Sequence, residues 1–148
     1  MKVIIDTNYF YALYVEKDIF HQKALALLET IHQKTKKNPS LGFLTNQFVV
    51  QETYTLMNYR IKQSHFLHKL DELFFGKARF FELYYSNSHI QEMKQIIQVM
   101  KDYIGMTPKR NLSFIDASLI YHAKLLGVNQ IISFDGHFKN ILEYFNKQ

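Results

Sequence analysis

Short apolar runs alternate along the chain with longer stretches in which apolar residues recur every three or four positions. "KVIID" (2–6), "LGFLT" (41–45), "ARFFELYY" (78–85) and "VNQIISF" (128–134) are the runs, and each has the length of a strand. The stretches between them predict helices. "TNYFYALYV" (7–15) follows the first strand almost at once. "DIFHQKALALLETIHQKTKK" (18–37) carries a stripe of Ile19 or Phe20, Ala24, Leu27, Leu28 and Ile31, with Asp18 placed as its cap. The polar, basic "KTKKNPS" (34–40) contains a proline and predicts a loop. "NQFVVQETYTLMNYR" (46–60) has Asn46 as a cap, and "SHFLHKLDELFFG" (64–76) stops at Gly76. "SNSHIQEMKQIIQVMKDYIG" (86–105) puts Ile90, Met93, Ile97, Met100 and Ile104 on one apolar side. "NLSFIDASLIYHAKLLG" (111–127) does the same with Ile115, Leu119, Ile120, Ala123 and Leu126. "MTPKRN" (106–111) is a loop and "DGHF" (135–138) a turn; "KNILEYFNKQ" (139–148) fits a short helix or an edge strand.

Strands alternating with helices predict an α/β fold with a central parallel sheet covered on both faces. A chain of 148 residues, 47% hydrophobic and 16% aromatic, is large enough for one domain over 1–148 with its own core. No run is long enough to span a membrane, and the start lacks the pattern of a secretory signal. The absence of cysteine excludes disulfides and thiolate metal sites and fits a cytoplasmic protein. A net charge of +5 favours a polyanionic partner, with nucleic acid first.

Asp116 sits inside an apolar helical stripe, and its neighbours at i±3 and i±4 are Leu112, Ser113, Leu119 and Ile120, none of them a cation. A carboxylate on such a face is costly unless it finds a partner. Three other acids fall in comparable places. Asp6 and Asp135 end the first and last strands, where parallel sheets gather ligands. Glu52 shares a helix face with Val49, Leu56 and Tyr59. Singly, each has an ordinary role: Asp6 as a cap, Asp135 in an Asp–Gly turn, Glu52 on a solvated edge, Asp116 bonded to a Ser or Thr. Jointly they would repel and raise one another's pKa, a conflict that a hard divalent cation with oxygen ligands resolves. The seven histidines offer no convincing zinc pair.

"VIIDTNYF", "LTNQFVVQE", "LSFIDASLIYHA" and "IISFDGHF", taken in that order, resemble the PIN-domain ribonucleases, and among them the VapC-type toxins of toxin–antitoxin pairs. The resemblance implies a three-layer α/β/α fold. It also implies Mg²⁺- or Mn²⁺-dependent endoribonuclease activity, in which activated water cleaves RNA to a 5′-phosphate and a 3′-hydroxyl. Asp6, Glu52, Asp116 and Asp135 match the four catalytic, metal-site acids. Asn8, Thr45, Ser113 and Ser133 fall at small polar positions that orient the acids or the substrate. An RNA substrate, a cognate antitoxin and a homodimer are the implied partners. Lys109 and Arg110, and a second cluster at Lys34, Lys36 and Lys37, are candidates for RNA backbone contact. Three other readings compete. The first is a PIN-fold processing nuclease outside any toxin pair, and the second a non-catalytic RNA-binding module. The third, a phosphatase of the haloacid dehalogenase type, would want Asp-x-Asp where this chain has Asp6-Thr7-Asn8.

Overall fold

The computed structural model describes residues 2–86, 89–106 and 111–138. Four strands, β1 (Lys2–Ile5), β2 (Gly42–Asn46), β3 (Glu82–Tyr84) and β4 (Gln130–Ile132), form one sheet in the order β3-β2-β1-β4. Every pairing is parallel, with Ile4 beside Leu44 and Ile131, and Leu44 beside Glu82. Val3, Ile4 and Ile5 are all buried although successive side chains point to opposite faces, so helices cover β1 on both sides. Six helices among the described residues do so: α1 (Thr7–Tyr14), α2 (His21–Lys37), α3 (Gln47–Arg60), α4 (Ser64–Phe74), α5 (His89–Met106) and α6 (Phe114–Leu125). The chain is the α/β fold expected, with a parallel sheet between helical layers.

The topology fixes where a ligand fits. From β1 the chain steps to β2 and β3 on one side, then returns to place β4 on the other. Strand order therefore reverses at β1 and β4, and the crevice opens beyond their carboxyl ends. Asp6 directly follows β1 at that point.

Aromatic packing supports the strand ends. Phe10 of α1 contacts Phe74 and Phe81 with ring centroids 5.1 and 5.0 Å apart. Leu119, Ile120 and Ala123 of α6 are buried as predicted.

Three local expectations are corrected. Asp18 does not cap α2; its Oδ1 accepts from the Phe20 backbone N–H at 2.8 Å in the turn before the helix, and Phe20 holds the cap position. Phe20 packs against the core while Ile19 is 87% exposed. The stretch expected as a loop from Lys34 is helical to Lys37, which sets three lysines against the negative end of the α2 dipole. β3 is shorter than "ARFFELYY", because Phe81 turns into the aromatic cluster and β3 pairs with β2 only over Glu82–Tyr84.

The largest correction is α5. Ile90, Met93, Ile97 and Ile104 are exposed, and the buried positions are Glu92, Ile96 and Tyr103. Tyr59, expected on the face of Glu52, is also exposed. The segment 139–148 lies outside the described residues.

Candidate active site at the end of strand β1

Asp6 is 4% exposed and serves as the N-cap of α1, its Oδ1 accepting from the Thr7 backbone N–H at 2.7 Å. Its other oxygen, Oδ2, accepts from the Ser133 hydroxyl at 2.7 Å. Ser133 follows β4 and is itself oriented: its Oγ accepts from Asn8 Nδ2 at 2.9 Å and from the Asp135 backbone N–H at 3.0 Å. Asn8 Oδ1 in turn accepts from Phe134 N at 3.0 Å. Asn8 and Ser133 thus stitch α1 to the end of β4 around the Asp6 carboxyl. Thr45 acts from the other side. Its buried hydroxyl donates to Ile5 O at 2.8 Å, tying β2 to the last residue before Asp6.

Glu52 reaches the same place through a residue that sequence pattern alone does not single out. Thr7 Oγ1 donates to Glu52 Oε2 at 2.5 Å, and Thr7 is buried. Its position between Asp6 and Asn8 in "DTN" is the only signal that could have pointed to it. Glu52 stands on α3, which starts from the neighbouring strand because Asn46 ends β2 and caps the helix.

Asp116 is held locally. Ser113 is the N-cap of α6 and accepts from the Asp116 N–H at 3.0 Å, while Asp116 Oδ2 accepts from the Ser113 N–H at 3.1 Å. This reciprocal capping box supplies a partner to the carboxylate that had no cation within a turn. It also places Asp116 in the first turn of α6, where the helix dipole favours negative charge.

The Asp6 carboxyl is pushed up to about 7. Burial is the main cause; the charges of Asp116 and Glu52 act in the same direction, and the hydrogen bonds from Ser133 and Thr7 oppose it. The structure therefore brings Asp116 and Glu52 each within electrostatic reach of Asp6. Asp135 is exposed at the rim, two residues past Ser133, and its backbone N–H donates to the Ser133 hydroxyl that holds Asp6. It lines a cleft of about 370 Å³ with Phe20, Lys23, Ser133 and Phe134. Lys109 and Arg110 fall outside the described residues.

Carboxylate oxygens around one buried acid, with no Lys or Arg among the described groups that shift it, make a donor set that suits a hard divalent cation. Among the described residues, no three Asp, Glu or His side chains already stand at the spacing of a closed ligand cage. The donor chemistry alone suits such an ion.

A PIN domain family model matches residues 3–143. The chain belongs to the PIN domain family. Among solved structures, the fold is similar to that of VapC20 from Mycobacterium tuberculosis, a toxin that cleaves the sarcin–ricin loop. The two match with a TM-score of 0.67 over 92% of each chain, at 21% identity, which makes the likeness one of fold. No curated protein matches the chain. No described helix is long and apolar enough to cross a membrane.

Proposed function

We propose that the chain is a divalent-metal-dependent endoribonuclease, built as one domain over 1–148 and acting as the toxin of a toxin–antitoxin pair. The observation that carries this reading is the raised Asp6 carboxyl at the switch point of the sheet, acted on by Asp116 and Glu52. Membership of the PIN domain family supports the nuclease class, and the fold of VapC20 supports the toxin role.

Asp6, Asp116 and Glu52 would hold Mg²⁺ or Mn²⁺, with Asp135 joining from the rim. Such an ion supplies activation of water and neutralisation of the charge that builds on a phosphodiester oxygen. The chain's own contribution is orientation. Ser133 and the Thr7 N–H fix both Asp6 oxygens, Thr7 Oγ1 fixes Glu52, and Ser113 fixes Asp116. Hydrolysis adds the water oxygen to phosphorus and breaks the bond to O3′, leaving a 5′-phosphate and a 3′-hydroxyl. Lys109 and Arg110, shortly before Ser113 in sequence, are proposed contacts to the RNA backbone. The antitoxin and a second copy of the chain are proposed partners.

The test is incubation of pure protein with single-stranded RNA and Mn²⁺. Cleavage should vanish with EDTA and fall at least ~100-fold in Asp6→Asn and Asp116→Asn, in line with the size of charge-stabilising contributions at such sites. Equal cleavage with EDTA or in either variant would overturn the proposal. Expression should also arrest growth in the wild type and not in Asp6→Asn; arrest by both would remove the toxin role from this site.

A further inference from the structure

A second set of polar side chains is buried beside the acidic site. His122 of α6 is 1% exposed, Glu92 of α5 is 5% exposed, and Asn46 and Ser118 are fully buried. They form one chain of hydrogen bonds. Asn46 Nδ2 donates to Ser118 Oγ at 2.9 Å and stands 2.9 Å from His122 Nδ1, and His122 Nε2 contacts the Glu92 carboxylate. The ring of His122 also packs on Phe48 of α3 and on Tyr84 at the end of β3.

The proton positions follow from one fixed point. Asn46 Oδ1 accepts from the Phe48 and Val49 backbone N–H groups at 3.1 and 3.0 Å, capping α3. That contact orients the amide, so its NH₂ must face α6. One N–H goes to Ser118 Oγ, which sends its own hydrogen to Ile115 O at 2.6 Å. The other goes to His122 Nδ1, which must therefore be an acceptor. The ring hydrogen then sits on Nε2 and is donated to Glu92. Each group in the chain has a partner of the right polarity, and no described buried side-chain nitrogen or oxygen lacks one. Burial holds His122 below the ordinary histidine range, consistent with the neutral ring.

This chain joins the elements that carry two of the acids. Asn46 starts α3, which bears Glu52; Ser118 and His122 lie on α6, which bears Asp116. Glu92 ties α6 to α5, where Tyr103 packs with Leu112 and Ile120 further along the same pair. We propose that Asn46, His122 and Glu92 are positioning residues for the acidic site, a buried relay that sets the first turn of α6 against α3 and so places Asp116 relative to Glu52. The proposal rests on reading Asp6, Glu52 and Asp116 as one site. Its role is indirect: none of the three relay residues touches substrate or metal.

Two substitutions separate the relay from plain packing. Glu92→Gln keeps an oxygen to accept the His122 Nε2–H; Glu92→Leu keeps the volume and removes the acceptor. Crystal structures of both should show Asp116 in place in Glu92→Gln and displaced from Glu52 in Glu92→Leu. Calorimetry with Mn²⁺ should show affinity kept in the first variant and weakened about tenfold in the second, as for other groups that orient ligands. Superimposable acids, or unchanged Mn²⁺ affinity, in a folded Glu92→Leu would overturn the proposal.

Nitrogen-15 spectra of the histidine ring decide the same question without that variant. The wild type should carry its hydrogen on Nε2 alone. Asn46→Asp preserves the cap and puts a carboxylate oxygen against Nδ1, so its His122 should be protonated on both nitrogens at neutral pH. Hydrogen on Nδ1 in the wild type, or a neutral ring in Asn46→Asp, would contradict the relay. If the wild type binds no Mn²⁺, the metal reading of the site fails, while the structures and spectra still decide the relay.

Discussion

Asp6 is asked to do two things. Its carboxyl caps α1, and its charge has to coexist with Asp116 and Glu52 in a buried place. An unfolded aspartate ionises near 3.8, whereas the folded group is pushed up to about 7, by burial first and by the two acids next. The folded state therefore holds the proton more tightly. The stability this group contributes is complete below the unfolded value and is lost as pH rises through about 7. In EDTA, the unfolding free energy of the wild type relative to Asp6→Asn should fall by roughly 3–4 kcal/mol between pH 4 and 8, since each pK unit is about 1.4 kcal/mol. Urea melts of both proteins across that range check it, and a flat difference would contradict the site electrostatics. The acids themselves were legible in the sequence because carboxylates at strand ends and inside an apolar stripe stand out. Thr7, Glu92 and His122 were not, since a buried hydroxyl or a buried hydrogen-bonding side chain looks like any solvated polar residue until its partner is known. Asp116 shows the converse: no cation lies within a turn of it in sequence, and the structure gives it a local partner in the adjacent cap, Ser113.

At the scale of elements, period and caps located the sheet and most of the helices. Asn46 and Ser113 cap the helices that start beside them. The failures have physical causes. Asp18 has the chemistry of a cap but bonds one turn early. α5 offers two faces, and the more apolar one is turned outward because Glu92 on the other finds His122. Counting hydrophobic positions scores a glutamate against burial, so the pattern selects the wrong side. The structure makes this assignment measurable. Ile96→Ala should cost about 2–4 kcal/mol by opening a cavity in the core. Ile97→Ala, one residue on, should change stability by no more than about 0.5 kcal/mol. Denaturant melts giving comparable losses for the two would mean that α5 is rotated from the orientation described.

At the scale of the molecule, the alternation of strands and helices was enough to expect a parallel sheet, but not its order. Order is a long-range property, and it is the return from β3 to β4 that creates the crevice at β1. Once that is known, the acids fall into ranks. Asp6 stands at the switch point, Asp116 and Glu52 act on it, and Asp135 holds the rim. The central claim is that the first three form one site for a hard cation. A crystal grown with Mn²⁺ tests it most directly through the anomalous signal of the ion. A peak is expected within about 2.0–2.4 Å of carboxylate oxygens of both Asp6 and Asp116, the spacing of small hard cations on oxygen, with Glu52 drawn toward it. Mn²⁺ bound elsewhere on the chain, or a full-strength peak that leaves Asp6 and Asp116 without a shared ion, would contradict it.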